Sequence, residues 1–184
     1  MASVLIPLAQ GCEELEAVTI IDLLRRADIK VTTAGLDDQV IVASRGIRLI
    51  PDVKLEDVLN QSFDMIVLPG GLPGADYLNR DKRIHAILKK MSDDNKWLAA
   101  ICAAPKVFAT AGLLENKKVT SYPGSLDGIN VPGLQYKEVP VVIDDNIITS
   151  RGPGTAMDFA LTLIELLSGP TQRKAVEVPL QRPG

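Results

Sequence analysis

Cys102 stands at the end of the apolar run Trp97-Leu98-Ala99-Ala100-Ile101 and is followed by Ala103-Ala104-Pro105. A strand that runs into a nucleophile and turns sharply into a helix lifts that side chain above the sheet, and small neighbours keep the turn free of clashes. This layout makes Cys102 the candidate nucleophile. Free backbone N–H groups and the positive end of a following helix would favour thiolate over thiol, so a lowered thiol pKa is expected. A small thiol buried in the core is the alternative reading.

Glu16 is the candidate acid or base. It lies four residues before Ile20 and eight before Leu24, on the stripe that helical spacing turns toward a core. A carboxylate held there is desolvated, its pKa rises, and it becomes fit to move protons near neutral pH. The alternative is a carboxylate that snorkels from the stripe edge to solvent. Glu13 and Glu14 fall in the same first turn, where complementing the helix dipole is the better explanation. Val67-Leu68-Pro69 ends in Gly70-Gly71, a pair that lets backbone approach a reacting group and turn N–H groups inward as an oxyanion hole needs. The same pair is also ordinary turn punctuation.

Positioning these loops requires strands, and the chain supplies apolar runs alternating with helical patterns, the sign of βαβ units and a mainly parallel sheet. Strands are expected at residues 3–9, 29–35, 64–69 and 97–101, with a hairpin over 40–44 and 46–51 and two short strands near 138–143 and 146–150. Helices are expected at 13–27, 81–93, 103–111 and 155–168, and residues 169–184 read as a short helix and loose tail. In such a fold ligands bind beyond the carboxyl ends of the strands, where the Cys102, Gly70-Gly71 and Gly11 to Ala17 loops all fall. No linker, repeat or composition shift divides the chain, so one domain over 1–184 is expected.

Composition narrows the classes. The 184 residues are 46% apolar with a formal net charge of −3, enough for one sizeable core and without the basic field that attracts nucleic acid or anionic membrane. No apolar run approaches a membrane span and no signal-like segment opens the chain, which therefore reads as cytoplasmic. Two cysteines and one histidine cannot build a disulfide scaffold or a four-ligand zinc site, so no metal is expected. His85 reads as a solvated surface histidine on a polar-faced helix. No P-loop is present, no Gly-x-Gly-x-x-Gly follows the first strand, and no nucleotide cofactor is expected.

Taken in order, the segments Gly11 to Ala17, Leu24 to Val31, Ser44-Arg45, Val67 to Gly71, Ala99 to Pro105 and Thr149 to Thr155 resemble the ThiJ/PfpI superfamily, in the branch of the Parkinson-disease-associated deglycase. The resemblance implies a flavodoxin-like three-layer α/β sandwich with a mainly parallel central sheet, assembled as a homodimer. It implies Cys102 as the reactive cysteine, Glu16 beside its sulfur, and Gly71 and Ala103 as oxyanion-hole N–H donors. Arg26 and Arg45 match family arginines near the dimer interface that bind an anion or orient the site; a structural salt bridge is at least as good an account of each. Tyr122 stands where several members place a histidine next to the cysteine, at the substrate or anion site, and Ala103 replaces the histidine of the protease-like members. Ala43 and Ile50 stand where some members carry extra surface thiols.

The implied function is glutathione-independent handling of methylglyoxal and other dicarbonyls, or of their early adducts on proteins and nucleotides, with no cofactor. The alternative is an oxidative-stress sensor or redox-regulated chaperone that uses the same oxidisable Cys102. Cys12 is open to two readings: a thiol that resolves oxidised Cys102 through a disulfide, or a small buried side chain.

Overall fold

The computed structural model describes residues 1–182. Its elements run β1 (Ser3–Leu8), α1 (Glu14–Arg26), β2 (Lys30–Gly35), β3 (Ile41–Val42), β4 (Arg48–Leu49), β5 (Val53–Lys54), β6 (Met65–Leu68), α2 (Gly74–Arg80), α3 (Lys82–Asp93) and β7 (Trp97–Ile101). They continue with α4 (Pro105–Thr110), β8 (Lys118–Val119), β9 (Gln135–Tyr136), β10 (Val141–Asp144), β11 (Ile147–Ser150) and α5 (Ala156–Glu177). Seven strands form the central sheet in the order β10-β11-β7-β6-β1-β2-β5. Every pairing in it is parallel except β10 with β11 at one edge.

Strand residues alternate between the two faces, and each face buries its own apolar set. Val4, Ile6 and Leu8 of β1, with Met65 and Val67 of β6, pack under Ile20 and Leu24 of α1 and Phe159, Leu163 and Ile164 of α5. Leu5, Ile66 and Leu68 face the opposite way onto Leu78 of α2, Ile84 and Leu88 of α3, and Val107 and Phe108 of α4. The result is the expected flavodoxin-like sandwich, helix layer on sheet on helix layer. Burying each of these side chains contributes about 1.5–3 kcal/mol, which makes the sheet a rigid platform for the loops at its carboxyl edge. Asp81 caps α3 by accepting from the Arg83 backbone N–H at 2.8 Å, so that helix starts one residue inside the expected 81–93 range.

Some elements differ from expectation. Residues 70–80 carry α2 after the Gly-Gly turn, because Pro73 and Gly74 open a helix that their turn-like composition conceals. The irregular stretch between α4 and β10 contains β8 and β9, a two-residue parallel pair too short for periodicity to reveal. The last helix continues to Glu177 past a break at Gly169, where φ of 85° ends one helix and Pro170 opens the next. Arg182 then ties the end of the chain to Asp158 at 2.5 Å and Glu177 at 3.1 Å. The short helix expected after Gly169 is thus present, and the tail expected to be loose is pinned as far as Arg182; residues 183–184 lie outside the described range. Among the described residues no helix is long and apolar enough to cross a membrane.

Candidate active site

The site forms where the ends of β1, β6, β7 and β11 meet. Cys102 follows the last residue of β7 with φ of 63°, a left-handed conformation that costs an ordinary residue about 1–3 kcal/mol. Two backbone bonds hold it there. The Cys102 N–H donates to the Ser150 carbonyl at 3.0 Å, and the Tyr122 N–H donates to the Cys102 carbonyl at 2.8 Å. The sharp turn expected from sequence is therefore present, stapled from both sides by neighbouring chain.

Glu16 is fully buried on the same face of α1 as Ala17, Ile20 and Leu24. Its Oε2 accepts the Gly70 N–H at 2.8 Å, and the carboxyl group is within hydrogen-bonding reach of the Cys102 thiol. Oε1 is buried with no conventional partner among the described residues. Gly70 is bound on its other side too, since its carbonyl accepts the Glu13 N–H at 2.9 Å. A β-carbon on Gly70 would stand 2.6 Å from Cys102 Cβ and 2.8 Å from Glu16 Oε2, so only glycine fits between nucleophile and carboxyl. Gly71 has φ of +87°, and a β-carbon there would meet the Glu13 nitrogen at 2.3 Å. The N–H groups of Gly71 and Ala103 both point at the Cys102 sulfur.

Electrostatics couple the pair. Desolvation pushes Glu16 up to about 7, aided by the charge of Glu13 and opposed by the bonds from Cys102 and Gly70. Cys102 is pushed up to about 12 by burial first, then by the Glu16 charge and the bond to it, against the N–H groups of Gly71 and Ala103. The lowered thiol pKa expected from sequence is corrected by these values. The following helix α4 has only six residues and starts three positions beyond Cys102, while burial and a carboxylate neighbour act directly on the sulfur. The two groups hold one proton between them over a wide pH range, and thiolate arises by passing that proton to Glu16 rather than by losing it to water.

Glu14 is also buried, yet its carboxylate faces the β3–β4 hairpin. There it accepts the Ser44 hydroxyl at 2.9 Å and the Arg45 N–H at 2.8 Å. Desolvation is outweighed by these bonds and those of its own and the Ile47 N–H, which hold the carboxyl below its usual range. Dipole complementation alone does not describe this residue: it clamps the hairpin onto α1. Glu13 Oε2 accepts the same Ser44 hydroxyl at 2.7 Å.

The remaining candidates lie at different distances from the sulfur. Tyr122 is bonded to the elbow and half exposed. Arg45 sits in the clamped hairpin with its guanidinium turned back onto the Ser44 carbonyl at 3.3 Å. Arg26 is in the last turn of α1, ten residues or about 15 Å of helix beyond Glu16, and pairs with Asp22 at 2.8 Å; the structure does not bring it to Cys102 within one chain. Cys12 is buried, its thiol also raised to about 12, chiefly by desolvation. His85 is half-buried rather than fully solvated, donating to the Asn79 carbonyl at 2.7 Å. Among the described residues no cluster of His, Cys, Asp or Glu could hold a metal ion. Sequence reasoning missed Gly70 as the partner of Glu16 and Ser44 as the link between hairpin and helix. The Gly-Gly pair was the available signal for the first, while nothing local signalled the second.

Together these features define an α/β sandwich with a cysteine elbow opposite a buried carboxyl group. The chain belongs to the DJ-1/PfpI family, whose model matches residues 2–166. It is 47% identical over 177 residues to DJ-1 homolog B of Arabidopsis thaliana, a match that takes in 95% of this chain but only 40% of that longer relative. A Caenorhabditis elegans protein named glutathione-independent glyoxalase DJR-1.2 is 37% identical, over 97% of this chain and 95% of its own. The crystal structure of Drosophila melanogaster DJ-1beta superposes with a TM-score of 0.94 at 39% identity, covering 100% of this chain and 99% of that one.

Proposed function

We propose that this chain converts methylglyoxal and related dicarbonyls, or their early glycation adducts, to 2-hydroxy acids without a cofactor. The observation that carries the proposal is the convergence on one sulfur of a buried carboxyl group with a pKa near neutrality and two backbone donors. Cys102 sulfur attacks the aldehyde carbon, forming the S–C bond as its proton passes to Glu16. The carbonyl electron pair moves onto oxygen, where the Gly71 and Ala103 N–H groups stabilise it. Glu16 hands the thiol proton to that oxygen, giving the neutral hemithioacetal, and as a carboxylate again removes the proton from the hemithioacetal carbon and returns it to the neighbouring carbon, while the hydroxyl proton passes to the second oxygen. The first carbon is thereby oxidised to a thioester as the second is reduced to an alcohol. Water then cleaves the thioester, releasing lactate from methylglyoxal and restoring the thiol. The sum is dicarbonyl plus water, with no external oxidant or reductant. The C. elegans relative named as a glyoxalase supports this chemistry.

The test is metal-free, thiol-free incubation with methylglyoxal, following lactate. Lactate formed by the wild type and lost in Cys102→Ser and Glu16→Gln is the expected result; no lactate above buffer would overturn the reading. A second reading, an oxidative-stress sensor or redox-regulated chaperone, is favoured by the same donors. The Gly71 and Ala103 N–H groups together with protonated Glu16 suit the oxygens of a Cys102 sulfinate. Selective gain of two oxygens at Cys102 under mild peroxide supports that role. Two exposed apolar residues one turn apart on the outer face of α1, Leu15 and Val18, support homodimer formation through this helix. Light scattering of the wild type beside Val18→Asp tests that assembly.

A further inference from the structure

A second cavity, of about 360 Å³, lies beyond the carboxyl ends of β1 and β2 and is bounded by the end of α2. None of its walls belongs to Cys102, Glu16, Gly71 or Ala103. We propose that it binds a free α-amino acid with an apolar side chain, held as the zwitterion.

The place follows from the topology, since ligands of doubly wound sheets bind outside the carboxyl ends of the strands. Ala9 follows β1 and Leu36 follows β2, and the Leu36 N–H donates to the Leu8 carbonyl at 3.3 Å, which ties the two strand ends together. Ile41 of the hairpin supplies a third apolar wall, and Ala9 and Ile41 are both buried. Gln10 fixes that wall: its Nε2 donates to the Val40 carbonyl at 3.0 Å, and its Oε1 accepts the Val42 N–H at 2.9 Å. Preformed apolar walls with a few polar groups at the rim are the usual form of a small-molecule site.

The charges at the rim select the ligand. Asp81 is already occupied, because Arg83 donates to it through Nε at 3.0 Å and Nη2 at 2.6 Å. Arg83 feels Asp37 through space, yet makes its other contacts with the Leu36 carbonyl at 2.7 Å and Glu56 at 3.2 Å. Arg80 and Asp37 differ from that pair: among the described residues neither has an ion-pair partner, although both line the same cavity. The Arg80 guanidinium stands over the Tyr77 ring, 5.8 Å from its centroid, and the ring's electron-rich face steers it at the rim. Asp37 accepts the Gln39 N–H at 2.9 Å with Oδ1 and leaves Oδ2 free. An unpaired cation and an unpaired anion at the mouth of an apolar cavity match a ligand that carries both signs on adjacent groups with an apolar group behind them. An α-amino acid has that form: its carboxylate meets Arg80, its ammonium meets Asp37 Oδ2, and its side chain packs against Ala9, Leu36 and Ile41. A simple anion would face Asp37 and a simple cation Arg80, so repulsion works against each.

Three ligands separate the two charges. L-phenylalanine, N-acetyl-L-phenylalanine and L-phenylalaninamide are titrated into wild type, Arg80→Met and Asp37→Asn, with binding followed by the backbone amide shifts in two-dimensional NMR. Both side chains are exposed, so neither variant disturbs the core. The wild type is expected to bind phenylalanine with a Kd of about 1 mM and each capped form about fivefold more weakly. Arg80→Met is expected to lose the preference for phenylalanine over the amide, and Asp37→Asn the preference over the acetyl form. Cys102→Ser is expected to bind as the wild type does, which keeps this result separate from the dicarbonyl reading. The site is overturned by a wild-type Kd for phenylalanine above about 10 mM, by equal affinity for the three ligands, by preferences unchanged in both variants, or by loss of binding in Cys102→Ser.

Discussion

Glu14 and Glu16 leave the same turn of one helix, and both carboxyl groups are buried. Glu14 meets a hydroxyl and several backbone N–H groups of the hairpin, which hold its charge and lower its pKa. Glu16 meets one N–H and a thiol in a fully buried position, and its pKa rises to about 7. Desolvation acts far more strongly on Glu16 than on Glu14, so depth of burial together with the number of donors separates a structural clamp from a group able to exchange protons. The first region is satisfied and stabilises the fold. The second is left short of donors, and that shortage creates its reactivity.

The sharpest way to break this contrast is Glu16→Gln. If Glu16 moves the proton, kcat should fall by about 10²–10⁴, measured as lactate release. Stability should move the other way. A folded pKa of about 7 against an ordinary 4.5 means the folded protein binds that proton more tightly. The stabilisation it contributes is complete below about pH 4.5 and is lost as pH rises through 7, about 3 kcal/mol in all. Urea unfolding at pH 8 should find Glu16→Gln more stable than the wild type, with the difference vanishing near pH 4. The wild-type pH–rate profile should rise through about 7 and stay high until the second proton leaves near 12.

Next in size is Gly70→Ala, whose β-carbon would stand 2.6 Å from Cys102 Cβ. It should destabilise by about 1–3 kcal/mol and separate thiol from carboxyl, read as lower Tm together with loss of the neutral titration. Glu14→Gln should cost about 2 kcal/mol through its charge-assisted bonds to the hairpin. The clamp of Glu14 has the opposite pH sign: its stabilisation is present above the usual carboxylate range and is lost as pH falls through the lowered pKa. Arg26→Ala removes only an exposed pair with Asp22 and should change unfolding free energy by less than about 0.5 kcal/mol.

Much of this was legible in the residues. The strand-to-cysteine junction at Ile101-Cys102, the apolar-stripe position of Glu16 and the Gly70-Gly71 pair each rest on local spacing, which the chain carries wherever it folds. The long strands and the helices α1 and α3 were legible for the same reason. Some short elements were not: β5, β8 and β9 have two residues each, a single strand period that cannot repeat to show alternation. α2 was concealed by the turn-like residues at its start.

By itself the sequence determined which side chains could react and which loops would carry them, because hydrophobic period and turn chemistry act over a few residues. The tertiary structure decided how they react. Whether Cys102 is acidified or held as a thiol, and whether Glu14 or Glu16 keeps its charge, depends on donors and burial contributed by segments distant along the chain. Gly70 lies 54 residues from Glu16, and Arg45 lies 31 from Glu14. Electrostatic free energy is set by distance and solvation in space, and only the folded chain defines either.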